Sequence, residues 1–253
     1  GIGYQLDELD RWGLKTVFFV DPMPALVYGP QIVEDMVGPI LERGHEVQLH
    51  IHTEWLDHVS DSPVGGRTGR NIGDFSLSDQ IVLLNTARDL LIAAGAPPPT
   101  AFRAGNYGAN DDTLRALAAI GIEWDSSFNP AHLDGDCNIG LDPDVHHVTQ
   151  HKGVRVLPIG VIEDRPGTLR HAQLCALSGW EMKRALTHAA ECDAHFYTVV
   201  NHSFELFIRS ASRGHPLMAR RFRSLCRTIA RDERLVSGGF DRMRRRSRYR
   251  GAP

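Results

Sequence analysis

The sequence predicts an α/β fold with a largely parallel sheet. Strand-like apolar runs alternate with amphipathic helical stretches, glycines close most of those stretches, and polar residues collect just after the strand runs. Leu6 to Trp12 reads as the end of a helix with Gly13 as its stop, and Thr16-Val17-Phe18-Phe19-Val20 as a buried strand. Ile32 to Arg43 repeats the helical pattern up to Gly44, and Glu46 to His52 is the next strand. Leu77 to Ala94 is a long helix ending before Gly95 and a run of three prolines, with Thr100-Ala101-Phe102-Arg103 as the strand beyond. Asp111 to Ile120 is helical with Asp111 or Asp112 near its start and Gly121 at its close, after which Glu123-Trp124-Asp125 begins a strand. Asn129 to His151, rich in Asp, Gly, Pro and His, reads as irregular. Regular structure resumes with Val154 to Val161, a helix over Glu181 to Ala190, a strand over Phe196 to Asn201 and a helix over Pro216 to Arg231. In such folds active sites lie at the carboxyl ends of the strands.

A chain of 253 residues exceeds a typical domain but suits one α/β barrel. Hydrophobic residues at 42% and charged residues at 23% argue against disorder, and a net charge of −3 argues against nucleic acid as a partner. Arg242, Arg244, Arg245, Arg246, Arg248 and Arg250 crowd the end, so residues 1–241 read as the domain and 242–253 as a solvated, disordered tail. Cys137, Cys175, Cys192 and Cys226 are too scattered for a zinc cage or a dense disulfide frame. Such thiols, with no visible extracellular module, favour the cytoplasm. No apolar run approaches the roughly 20 residues of a membrane span, and no secretory signal opens the sequence, which starts with Gly1. Oligomeric state leaves no signature.

The densest chemistry lies in Gly44-His45-Glu46-Val47-Gln48-Leu49-His50-Ile51-His52-Thr53-Glu54-Trp55. Side chains alternate along a strand, so His50 and His52 share a face, roughly 7 Å apart along the chain. Imidazole nitrogens and carboxylate oxygens are the usual zinc ligands. Chance alone supplies about 0.7 His-x-His pairs in a chain with 13 His among 253 residues, so context must carry the assignment. That context is the gathering of Arg103, Asn106, Asp125, His202 and Glu205 at or just past other strand ends.

Taken in order, Gly44-His45-Glu46-Val47-Gln48-Leu49-His50, Phe102-Arg103-Ala104-Gly105-Asn106-Tyr107-Gly108, Trp124-Asp125-Ser126-Ser127 and Asn201-His202-Ser203-Phe204 carry a resemblance over nearly the whole chain. The sequence resembles the polysaccharide deacetylases of carbohydrate esterase family 4 type, which share the NodB homology domain and its irregular (β/α) barrel. The resemblance implies a metal-dependent hydrolase that removes an N-acyl group, typically N-acetyl, from a sugar or glycan precursor by cleaving a carbon–nitrogen bond. It also implies a divalent metal, zinc by expectation, held by His50; where the family often carries a second His four residues on, this chain has Glu54, so His52 or Glu54 supplies the next ligand. Arg103 matches the arginine that holds the catalytic acid in place, Asp125 an aspartate that orients the catalytic His, and His202 that His, a general acid. Asn106, Tyr107 and Trp55 are the expected substrate contacts, the aromatic rings stacking on a sugar.

The family's first motif, an aspartate pair on the first strand, has no counterpart. Asp7 and Asp10 fall in a helix, and Asp21 follows the next strand. The first strand and its general base are therefore expected to be lacking, either because the sequence lacks its natural beginning or because the protein is a catalytically silent relative that binds metal or carbohydrate. Structural roles compete at each position: backbone-bonded imidazoles for His50 and His52, a salt bridge for Arg103, a turn cap for Asp125. Glu205 reads as a partner for a neighbouring backbone amide, and His146, His147 and His151 lack regular ligand spacing.

Overall fold

Val47, Leu49 and Ile51 alternate with Gln48 and His50 along one strand, and that alternation sorts the fold into a helix-covered face and a polar interior face. The computed structural model describes residues 1–243 apart from Asp134, Asp193, Arg209, Ala211 and Ser212. Its first half runs α1 (Ile2–Arg11), β1 (Val17–Val20), α2 (Ala25–Tyr28), α3 (Gln31–Glu42), β2 (Glu46–Ile51), α4 (Leu77–Ala93), β3 (Ala101–Ala104), α5 (Asp111–Ala119) and β4 (Trp124–Asp125). There follow β5 (Thr149–His151), β6 (Val154–Val156), the hairpin β7 (Val161–Arg165) and β8 (Thr168–His171), α6 (Gly179–Glu191) and α7 (Pro216–Arg231).

The main sheet has the order β1-β2-β3-β4-β6-β5, parallel throughout except where β5 meets β6. The first three parallel steps return through α3, α4 and α5, and the fourth, β4 to β6, through a long irregular stretch and β5, long enough for the crossover that a parallel pair needs. Sequence punctuation explains the ends. Gly44 and Gly95 adopt φ of 67° and 93°, a left-handed turn that only glycine enters freely. Ser76 caps α4 by accepting from Asp79 N, Asn110 and Thr113 form a capping box on α5, and Ser178 and Glu181 form another on α6.

Leu49, Ile51 and Phe102 pack outward against Val33, Val37 and Ile40 of α3 and Leu83, Leu84 and Leu91 of α4. A second cluster joins α1, α6 and α7 through Leu9, Leu186, Phe222 and Leu225. On the inner face Ala101, Trp124, Leu157 and Phe240 close the floor beneath the polar residues. The result is an α/β fold with a largely parallel sheet, as the sequence predicts, with Gln48, His50 and Arg103 on its inner face.

Three expectations change. Phe196 to Asn201 is extended but forms no strand; it makes one isolated bridge, Val200 to Gln173, because its backbone bonds are divided between Gly160 and the Ala172–Leu174 stretch. Val154 to Val161 breaks after Val156, and β5 and β8 are strands that the irregular and unassigned stretches concealed. Arg242 and Met243, assigned to the tail, belong to a helical turn, and Met243 packs on the inner cluster; the arginines from 244 onward lie outside the described residues. No helix among the described residues is long and apolar enough to cross a membrane.

Candidate active site

The parallel register sets His50 of β2 beside Arg103 of β3. His50 Nδ1 lies 2.6 Å from the Arg103 carbonyl oxygen, an acceptor, so Nδ1 carries the proton and Nε2 the lone pair. Burial, then the neighbouring His52, pushes the His50 imidazole down to about 3, leaving it neutral, the form that binds a metal ion. The rings of His50 and His52 meet edge to face, their centroids 4.9 Å apart.

Past the strand end the chain turns into a short helical turn, Thr53–His58, bringing Glu54 back beside His52. His52 Nδ1 is 3.2 Å from Glu54 Oε2, and Asn106 Nδ2 donates to Glu54 Oε1 at 2.9 Å. Burial raises the Glu54 carboxyl, but these hydrogen bonds, Asn106 foremost, hold it below the usual range. Asn106 and Tyr107 occupy the left-handed region at φ of 55° and 59°. Flanking them, a Cβ on Gly105 would stand 2.7 Å from His52 Nδ1, and one on Gly108 only 2.2 Å from Asn71 Cγ.

Asp21, set aside in the sequence because it follows β1, sits in this same group. It accepts from the backbone N–H of His52 at 3.2 Å and from the indole N–H of Trp55 at 3.0 Å. Burial pushes its carboxyl up to about 7 despite these bonds. Trp55 also meets Tyr28, 64% exposed, edge to face at 5.9 Å.

A second group is carried by the segment after Asn201, with His202 near enough to act electrostatically on His50. His202 Nδ1 lies 2.9 Å from Glu205 Oε1, both on the turn Ser203–Leu206 or at its cap. Gln173 Nε2 donates to the same oxygen at 2.5 Å, and the Cys175 thiol lies 3.3 Å from it. Behind Gln173, its Oε1 is 2.9 Å from His171 Nε2, and His171 Nδ1 is 3.2 Å from His132 Nε2, so a continuous hydrogen-bond chain links His132 to His202. The ring of Tyr107 lies beside both His132 and His171, and its buried hydroxyl has no hydrogen-bond partner among the described residues.

Two expected contacts are not made. Asp125 does not bond His202: its carboxylate takes the Ser127 N–H at 2.8 Å and the Ser127 hydroxyl at 2.6 Å. The reason is strand parity. Trp124 pairs with inward-facing Ala101, so Asp125 pairs with Phe102 and is turned to the helix-covered face. Burial there pushes Asp125 up to about 6. Arg103 does face inward, but its guanidinium bonds the Ser126 carbonyl and hydroxyl and lies 4.3 Å over the Phe19 ring. Glu205, not Asp125, is the carboxylate that bonds His202; its i+3 spacing from His202 was the available signal. His132, His171 and Gln173 gave none, being far from His202 in sequence.

For a metal ion, His50, His52 and Glu54 are the right donors but are not assembled round one point. Among the described residues no three His, Cys, Asp or Glu side chains are grouped to hold an ion, and His52 and Glu54 bond each other.

No family model matches the sequence, and no curated protein matches it. Solved structures do. A Mycobacterium smegmatis protein provisionally named a polysaccharide deacetylase superimposes with a TM-score of 0.61 at 17% identity, covering 100% of this chain and 78% of that one. A Pseudomonas aeruginosa PAO1 protein named in similar terms gives 0.58 at 12%, over 99% of this chain and 73% of its own. A 4-alpha-glucanotransferase of Thermococcus litoralis also gives 0.58, at 11% identity, over 94% of this chain but 35% of that one. The chain has the (β/α) barrel-like fold of the two deacetylase-type structures. Since the glucanotransferase shares it, activity must be argued from side chains.

Proposed function

We propose that this protein is a hydrolase that removes N-acetyl groups from a sugar polymer. The observation that carries the reading is the His202–Glu205 pair, with His202 close enough to act electrostatically on His50 at the carboxyl end of β2, where His52 and Glu54 also stand. The provisional names of the two deacetylase-type structures support it. In the reaction a water oxygen bonds to the acetyl carbon, the carbon–nitrogen bond breaks, the nitrogen leaves with a proton from an acid, and the proton that the water sheds restores that acid. His202, held by Glu205, is the group placed to give that proton, yielding acetate and an amino sugar. Tyr107 offers an unpartnered hydroxyl, and Trp55 with Tyr28 an aromatic rim for a sugar ring. Asn106 holds Glu54 through its Nδ2.

The same reading includes a divalent cation, zinc, on His50 with His52 or Glu54, which requires the His52–Glu54 contact to open. Bound there, zinc would supply Lewis-acid polarisation of the acetyl carbonyl. All four cysteines are free thiols, and we place the protein in the cytoplasm. The test is acetate release from N-acetylglucosamine oligomers with and without added zinc. Release that falls by 10²–10⁴-fold in His202→Ala supports the hydrolase. Saccharide binding without release in the wild type would make it a silent binding protein. Zinc titration by calorimetry, repeated in His50→Ala, checks the cation independently of turnover.

A further inference from the structure

One face of α7 is unusually basic. Arg220, Arg223, Arg227 and Arg231 are all exposed and follow one another at spacings of three, four and four residues, so they form a single row about 16 Å long. The helix contains no Asp or Glu. No ion pair joins any of the four to another described residue; Arg231 lies over the Trp12 ring at 5.8 Å. Like charges three and four residues apart weaken a helix. In a chain of net charge −3, this row is segregated positive charge.

The row borders a groove of about 520 Å³ between α1, α7 and the start of α6, into which Arg11, Arg220, Arg223 and Arg227 project beside Ser178 and Gly179. Its one carboxylate, Glu8, is already bonded to Arg11 at 2.8 Å. A chain of contacts runs from the groove to the candidate site. Arg221, which lines it, donates to the carbonyls of Leu174 and Cys175 at 3.1 and 3.0 Å, and the Cys175 thiol touches Glu205, the partner of His202.

We propose that this groove docks an anionic glycan, a linear saccharide with repeated carboxylate or phosphate groups, whose further end reaches the His202 site. The inference rests on the proposed deacetylase reading and narrows its substrate to charged polymers. A row of unpaired guanidiniums matches repeated anions along a chain, and its link through Arg221 and Cys175 to a site proposed to act on sugars favours a glycan over nucleic acid.

The experiment compares binding of a hyaluronan hexasaccharide, neutral chitohexaose and a short DNA duplex to the full chain, at two salt concentrations. Arg223→Glu/Arg227→Glu is the test variant, with Arg223→Gln/Arg227→Gln as a milder second; both sites are exposed, and circular dichroism verifies folding. The expected result is hyaluronan binding that weakens with salt and falls at least tenfold in the Glu variant, less in the Gln variant, with chitohexaose binding unchanged. Hyaluronan binding that is absent from the wild type or unaffected by both variants would overturn the inference, as would tighter, Arg-dependent binding of the duplex. Acetate release from chitohexaose is scored separately: its absence alongside Arg-dependent hyaluronan binding removes the deacetylase reading alone, and its presence without any Arg dependence removes the groove alone.

Discussion

His202 Nδ1 stands 2.9 Å from Glu205 Oε1, and the Glu205 side chain is only 7% exposed against 37% for His202. An imidazole whose inner nitrogen is held by a buried carboxylate presents its other nitrogen outward. Burial raises the Glu205 carboxyl, yet the bonds from His202, Cys175 and Gln173 bring it below its ordinary value. The pair is therefore set up as a carboxylate beside an imidazole. Glu205→Gln keeps the shape and removes the charge; acetate release should fall by about ten- to a hundredfold, less than the 10²–10⁴ expected for losing the acid itself. Equal losses in Glu205→Gln and His202→Ala would refute the orienting role.

Asp125 gives the clearest pH signature. Its carboxyl titrates at about 6 in the folded protein against 3.8 for the free group, so the folded state binds the extra proton. A raised carboxyl stabilises the fold at low pH, and that contribution is lost as pH rises from about 4 through 6. Asn mimics the protonated form. The stability of Asp125→Asn relative to wild type should therefore rise by about 2 kcal/mol between pH 4 and pH 7, because the unfolded carboxyl is already partly ionised at pH 4. Urea unfolding at both pH values measures it, and a difference that does not change with pH would exclude this account.

Asp21 ties β1 to the segment after β2 through two donors, His52 N–H and Trp55 Nε1. Asp21→Ala leaves both partly buried donors without an acceptor, at about 1–3 kcal/mol each. The expected outcome is a lower urea midpoint with unchanged slope, and altered tryptophan fluorescence from Trp55. A variant as stable as wild type would show that water replaces the carboxylate.

Glu181 caps α6 by accepting from Ser178 N at 2.7 Å and also pairs with Arg170. The backbone bond to Ser178, first among the causes, holds its carboxyl down to about 2. A depressed carboxyl stabilises the fold above its unfolded value, and that help disappears as pH falls through about 2. Glu181→Gln should cost roughly 1 kcal/mol at pH 7 as a weakened cap. Thermal melts at pH 7 should show it, with no change in acetate release.

Much of the fold was legible because local chemistry sets helix ends: Gly44 and Gly95 turn left-handed where the helices stop, and Ser76 and Ser178 cap where others begin. The sequence placed His50 and Arg103 at the ends of successive strands, and the parallel register sets them side by side. What eluded the sequence was parity and distance. The two-residue strand Trp124–Asp125 gives one inward position, and the larger Trp124 takes it, so a motif match could not say which way Asp125 faces. Asp21 was discounted by its place in a motif, although its place in space puts it beside His52. The 196–201 segment has strand composition but lacks a continuous partner, which is a property of its neighbours rather than of its own residues.

The left-handed pair Asn106–Tyr107 has a consequence for anyone improving this protein by selection. Asn106→Gly would relax a conformation that glycine adopts without strain and would lose the hydrogen bond to Glu54, two effects of similar size and opposite sign. A screen that reads only melting temperature would pass that variant as neutral. The carboxylate it releases belongs to the proposed zinc ligands, so heat-resistant lineages would drift toward impaired catalysts unless turnover were assayed in every round.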